Sequence, residues 1–328
     1  MLIVGDARIR RAITPTEGLK HRTRFAPAFA SSLLLLGLFC RPAVAAPDNC
    51  DIASNAAIRA CKTSAQSERS LAYGKCANVT DVVARAACNR AAAAAARDAF
   101  GTCADQAAFR EAACDRLGDG RYDPVIDPAN FSTVIDNPYF PLVPGTTFIY
   151  EGPTSAGLNH TEFEVTRNTR VIDGVTCVEI HDTVRIDGAL EEDTLDWFAQ
   201  DRQGNVWYFG ENTHELVDGL ITTIDGSFLA GADGAQPGII MEANPRIGDF
   251  YRQEFDLGNA EDDAEVVGLT ATVTTPFGSF TNCLDTLETT PLETALHEHK
   301  FYAAGVGQVL TLDADTGDRL PLVQITRQ

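Results

Sequence analysis

The chain has 328 residues, 45% hydrophobic and 22% charged, with a formal net charge of −20. That length accommodates a targeting segment plus one or two domains. The excess acidity lies in residues 117–328, with ten Lys/Arg against 36 Asp/Glu; such a surface repels nucleic acid and anionic lipid and keeps a chain soluble.

Residues 1–45 begin with a basic stretch containing Arg8, Arg10, Arg11, Lys20, Arg22 and Arg24. An apolar run from Ser32 to Cys40 follows, then the small-residue site Ala43-Val44-Ala45. This pattern predicts a secretory signal peptide cleaved after Ala45, and so a protein exported to the periplasm or the medium. A lipoprotein reading through Cys40 is disfavoured by the bulky Phe39 before it. The run is too short to span a bilayer comfortably and no later segment is long and apolar enough, so no transmembrane segment is expected after cleavage.

Residues 46–117 are rich in alanine, and Cys50 to Arg116 contains no proline. Alanine is the best helix former, so two helices are expected, over 50–76 and 81–116, with Thr80 or Asp81 as the second N-cap and Gly118 to Gly120 as the stop. Six cysteines lie here, at separations of 11, 15, 12, 15 and 11, a palindrome. A three-fold repeat of about 26 residues is also visible in the spacing. No close Cys-x-x-Cys pair suggests a metal, and an even set in an exported chain indicates disulfides. Folding back near Val82 pairs Cys50 with Cys114, Cys61 with Cys103 and Cys76 with Cys88, since each pair of numbers sums to 164. Steps of 11 and 15 residues span about 16 and 22 Å of helix, so the rungs stay level on antiparallel helices.

Residues 118–145 form a proline-rich connector expected to wrap over the following domain. From 146 to 328 the chain reads as an acidic antiparallel β domain. Strands are predicted over 146–150, 163–166, 175–186, 216–224, 250–255, 264–274, 280–289, 297–302, 309–312 and 322–326, besides a hairpin over 190–210. Asp173-Gly174, Asp187-Gly188 and Asp218-Gly219 supply turns. The fold class expected is α+β: a disulfide-stapled antiparallel helical hairpin, then a mainly antiparallel, strongly curved sheet forming a half-barrel or open barrel.

The 190–210 hairpin holds both tryptophans, Trp197 and Trp207. If Gln200 pairs with Asn205, strand alternation puts Leu195, Trp197, Ala199, Val206 and Tyr208 on one side. Phe198, Trp207 and Phe209 then share the other with Asp196, Gln200 and Asn205. That second face is the candidate ligand site: three aromatic walls and three polar groups to orient a head group. Coverage of these rings by the 137–144 connector or by the helices is the competing structural reading.

Several segments resemble a family of uncharacterised exported bacterial proteins. They are Asn137-Pro138-Tyr139-Phe140-Pro141-Leu142, Asp196-Trp197-Phe198-Ala199-Gln200-Asp201 and Gly204-Asn205-Val206-Trp207-Tyr208-Phe209-Gly210-Glu211. Gly234 to Ile239, Ala260 to Val266 and Tyr302 to Gly307 fit the same pattern. The resemblance covers roughly 122–309 and implies no activity. More loosely, residues 302–309 are similar to exported half-barrels of the lipoprotein-carrier type, a likeness of fold alone.

His297 and His299 lie on one strand face and are candidate transition-metal ligands, with His181, Asp182 and the 191–193 acids as possible additions. Glu261, Asp262, Asp263 and Glu265 could hold calcium, but a solvated charged loop is favoured. Asp313 to Asp318 imitates a calcium loop with its glycine one place early, and reads as a turn. No Gly-x-Ser-x-Gly or His-Glu-x-x-His occurs. Cys177 and Cys283 are expected to pair as a disulfide. The leading expectation is an exported, non-enzymatic protein with an apolar or amphipathic ligand, such as a lipid, on its curved sheet and no cofactor. The alternatives are a metal-dependent enzyme or cation binder that uses His297, His299 and a divalent ion, and a structural surface module.

Overall fold

The structure, a computed structural model, describes residues 49–328 apart from Asp119. The expected signal peptide lies outside the described residues.

Two helices, α1 (Asn49–Ala77) and α2 (Val82–Leu117), form the antiparallel hairpin. Asp81 caps α2, its carboxylate accepting from the Ala84 N–H at 2.7 Å, and Gly118, at φ +88°, ends it. The seam is thin. Its buried side chains are mostly alanine and cystine, including Ala65, Ala92, Ala96 and Ala113. Disulfides join Cys50 to Cys114, Cys61 to Cys103 and Cys76 to Cys88, the nested pairing the spacing predicts. Disulfides persist in oxidising compartments, so these three point to an exported protein.

After a short 3₁₀ turn at Pro128–Asn130 come sixteen strands among the described residues. They are β1 (Phe131–Ser132), β2 (Thr146–Thr154), β3 (Gly157–Ile172), β4 (Val175–Ile186), β5 (Ala189–Asp201), β6 (Val206–Val217), β7 (Leu220–Thr223) and β8 (Phe228–Leu229). The rest are β9 (Gln236–Met241), β10 (Phe250–Arg252), β11 (Glu254–Phe255), β12 (Asp263–Thr274), β13 (Ser279–Thr289), β14 (His297–Ala303), β15 (Gly307–Asp313) and β16 (Arg319–Arg327). The pairing is antiparallel and runs β10-β12-β13-β14-β15-β16-β2-β3-β4-β5-β6-β9-β11. The two ends of that path are successive pieces of one segment. Residues 250–252 pair with β12 and residues 254–255 with β9, with Gln253 between them. The sheet is therefore a nearly closed barrel whose seam is a single bent strand. Gly238 permits the closure: a Cβ there would lie 2.2 Å from the Gln253 carbonyl carbon. The Asp-Gly pairs at 173, 187 and 218 all have positive φ at both residues, as type I′ hairpin turns require.

The helical hairpin is clasped to this seam. The run from 261 to 265 alternates. Glu261 takes a two-pronged contact from Arg110 at 2.6 and 2.9 Å, Asp263 lies 3.6 Å from Arg252, and Glu265 meets Arg116 at 2.5 Å. Asp262 turns to the other face with the buried Ala264 and Val266. The expected solvated or calcium-binding loop is thus corrected: Glu261, Asp262 and Asp263 are buried, and arginines occupy the outward carboxylates.

Two apolar cores flank the sheet. The large inner one includes Val165, Val178, Ile180, Phe198, Tyr208 and Leu284, closed at one end by Ile135, Phe140 and Leu142 of the connector. The smaller outer one gathers Trp197, Ala199, Phe209, Ile172, Val175 and Cys177, with Phe131, Ile126 and Trp207 against it.

Candidate functional site

The 190–210 hairpin is shifted by one residue from the sequence-based register. Asp201, not Gln200, faces Asn205, with the Asp201 N–H donating to the Asn205 carbonyl at 2.9 Å. Gln200 therefore pairs with Val206 and Ala199 with Trp207. Phe198 follows in the same register opposite Tyr208, and a bulge between Trp197 and Phe198 then places Trp197 opposite Gly210. A slip of one residue exchanges faces. Phe198 consequently leaves Trp207 and Phe209 and joins Tyr208 in the barrel interior, their rings stacked at 4.7 Å.

The connector covers the other two rings. Phe131 packs edge-on against Trp207 at 6.1 Å and Phe209 at 5.2 Å. Gln200 accepts from the N–H groups of Asp136 and Asn137, both at 2.9 Å. Asn205 donates to Asp201 at 2.8 Å and accepts from the Ala243 N–H at 2.8 Å. The Trp207 indole donates to Asp201 at 2.9 Å. Of the six residues expected to form one site, Asp196 and Phe198 face the interior, while Gln200, Asn205, Trp207 and Phe209 anchor the connector and the outer core.

The interior changes character along each strand. On β5, Phe198 gives way to Asp196, Thr194 and Glu192; on β4, Val178 and Ile180 give way to Asp182. On β14, Tyr302 is followed outward by Lys300 and Glu298. The Tyr208 hydroxyl donates to Asp196 at 2.6 Å and lies 2.8 Å from Glu211. Lys300 pairs with Glu288 at 2.7 Å, and Thr286 and Tyr302 also donate to Glu288, at 3.1 and 3.3 Å. Asp182, Glu192, Asp196, Glu211, Glu254, Asp262, Glu288 and Glu298 are thus set against a single lysine among the described residues.

Burial penalises the ionised form of these acids. It raises Asp182 well above the usual carboxylate range, helped by Asp196 and Glu192. Burial and then Asp262 do the same to Glu254. Burial also raises Asp196, against the hydrogen bond from Tyr208. Half-buried Glu192, at the rim, is pushed up to about 8 by desolvation and by Glu211, and Glu211 itself to about 7. Lys300 stays above its ordinary value because Glu288 and Glu298 outweigh its burial. One oxygen each of Asp182 and Glu254 is buried with no hydrogen-bond partner.

His297 and His299 share the outer face of β14 but take different carboxylates. His297 Nδ1 lies 2.9 Å from Asp315, and His299 Nδ1 lies 2.8 Å from Asp285. His181, on β4, meets Asp193 at 2.8 Å. No three His, Cys, Asp or Glu side chains converge at metal-binding distance among the described residues. Cys177 and Cys283 are both buried and unpaired, which corrects the expected disulfide: Cys177 faces the outer core and Cys283 the inner one. Burial lifts the Cys177 thiol to about 12, so it is held as an inert thiol.

No described helix is long and apolar enough to cross a membrane. Fold and interior together define an acid-lined, antiparallel β-barrel clasped by a disulfide-stapled hairpin. No family model and no curated protein matches the chain. Among solved structures it is similar to a protein from Parabacteroides distasonis described as a candidate lipoprotein, at 14% identity and a TM-score of 0.32, over 57% of this chain and 98% of that one. A likeness this loose says nothing about activity.

Proposed function

We propose that the protein is an exported, non-enzymatic binding protein whose barrel interior takes a cationic amphipathic small molecule. The observation that carries this is the interior excess of carboxylates over Lys300 among the described residues, adjoining an aromatic floor of Phe198, Phe140 and Phe163. An ammonium group seated beside Asp182, which buries one oxygen with no hydrogen-bond partner, offsets buried negative charge. The apolar part then rests toward Phe198. The acids are spread over several strands instead of converging, which suits an extended organic cation better than one metal ion. Binding displaces protons from the raised carboxyls, so affinity increases from pH 5 to pH 8.

Calorimetric titration with decylammonium tests the reading. Saturable binding is expected, weakened about tenfold or more in Asp182→Asn and accompanied by proton release. Absence of binding at pH 8, or binding indifferent to Asp182→Asn and to pH, rejects it.

A further inference from the structure

A cavity outside the barrel interior has the opposite electrostatic character. It lies between the foot of the helical hairpin and the barrel seam, a cleft of about 330 Å³, the size of a small-ligand pocket. Ile52 and Leu117 of the hairpin, and Phe255 and Leu257 of the barrel, give it apolar walls. Its cations are Arg110, Arg121 and Arg252, gathered on a molecule whose net charge is −20. Arg110 is committed to Glu261, but the other two have charge to offer. Arg252 is 8% exposed. Its guanidinium lies 4.4 Å over the Phe255 ring, and its Nε–H has no acceptor. Its nearest carboxylate, Asp263, stands 3.6 Å away, and burial pushes that acid up to about 7, so the ion pair is incomplete at neutral pH. Arg121 is exposed at the rim. The first turn of α1, at Asn49, Cys50 and Ile52, also lines the cleft, and the N–H groups of a helix's first turn favour an anion.

We propose that this cleft binds a small amphipathic anion, its carboxylate or phosphate head between Arg252 and Arg121 and its apolar body against Ile52, Phe255 and Leu257. The site is separate from the acid-lined interior and selects the opposite charge. An orphaned buried donor beside an aromatic wall defines where the head sits. The apolar walls require a body, so a bare inorganic anion lacks most of the contact.

The test is titration of the full, disulfide-intact protein with decanoate and, separately, with inorganic phosphate. Decanoate is expected to bind at one equivalent and phosphate not measurably. Arg121→Glu, a change at an exposed position, is expected to weaken decanoate about tenfold or more. Leu257→Trp, which fills the cleft from its half-exposed wall, is expected to abolish binding, while Asp196→Asn in the interior leaves decanoate untouched. No decanoate binding, binding unaltered by both Arg121→Glu and Leu257→Trp, or phosphate binding as tight as decanoate overturns the proposal. Decylammonium titrated against the same variants reports the interior separately.

Discussion

The helical hairpin and the barrel achieve order by opposite means. The hairpin buries little besides alanine and cystine, leaves Leu71, Val82 and Val83 largely exposed, and relies on three covalent rungs. The barrel buries large aromatics on both faces of its sheet and, in the same interior, a set of acids that oppose burial. A small two-helix unit lacks the apolar area to offset its chain entropy and needs staples. A large barrel has stability to spare and can carry unfavourable charge in its interior. The two meet at the seam, where Arg110 and Arg116 of α2 pair with Glu261 and Glu265 of the barrel.

The sharpest way to break the comparison is to reduce all three disulfides. Each contributes roughly 2–4 kcal/mol. Far-UV helicity is expected to fall while near-UV and fluorescence signals of Trp197 and Trp207 persist, because both indoles lie in the sheet. Simultaneous loss of both signals means that the hairpin is required for the barrel. Second, Arg110→Ala removes one partner of the Arg110–Glu261 pair and strands a buried carboxylate, at a cost of about 3–5 kcal/mol. Urea unfolding measures it, and Arg110→Met with Glu261→Leu is expected to recover most of the loss. Third, Gly238→Ala presses a methyl group into the Gln253 backbone at the seam, with an expected cost of about 1–3 kcal/mol; an unchanged urea midpoint would count against the seam as drawn.

The smallest effect is on pH dependence. Glu192 and Glu211 have folded-state values of about 8 and about 7 against ordinary values of 4.5. Acids raised on folding contribute stability that is complete below the unfolded value and lost as pH rises through the folded one. Without a cationic ligand the melting temperature is expected to drop by roughly 5 °C between pH 5 and pH 8. Glu192→Gln flattens that slope, and decylammonium restores stability at pH 8. A melting temperature that rises over this interval contradicts the burial of these acids.

The two regions also differ in how far the sequence reveals them. The hairpin's pairing is readable because cysteine spacing on a helix is a one-dimensional problem: level rungs and a shared face settle it. The β domain is readable as a run of strands with Asp-Gly turns and a curved architecture. Its faces are not, because face assignment rests on register. Taking Gln200 in place of Asp201 as the partner of Asn205 moves Phe198 to the wrong side, and the bulge opposite Trp197 and Phe198, with Phe209 as its extra residue, is invisible to strict alternation. β9 is missed because Pro237 and Gly238 read as a break, although the proline sits beside the short β11. The acids at 261–265 look solvated because two of their arginine partners, Arg110 and Arg116, lie about 150 residues earlier in the chain. Asp196 is named from the sequence among the six hairpin residues, but the acids that share the interior with it come from strands whose adjacency only the closed sheet creates.

The bend at Gln253 has a consequence for solubility. Without residues 250–255, the twelve-residue β12 and the six-residue β9 would each present a row of unpaired N–H and C=O groups, ready to recruit a strand from another molecule. A single segment covers residues 263–265 of the one and residues 236–237 of the other. The closure that shapes the interior thereby acts as a guard against strand-to-strand aggregation, so variants that loosen the seam should form fibrils or precipitate before they lose their secondary structure.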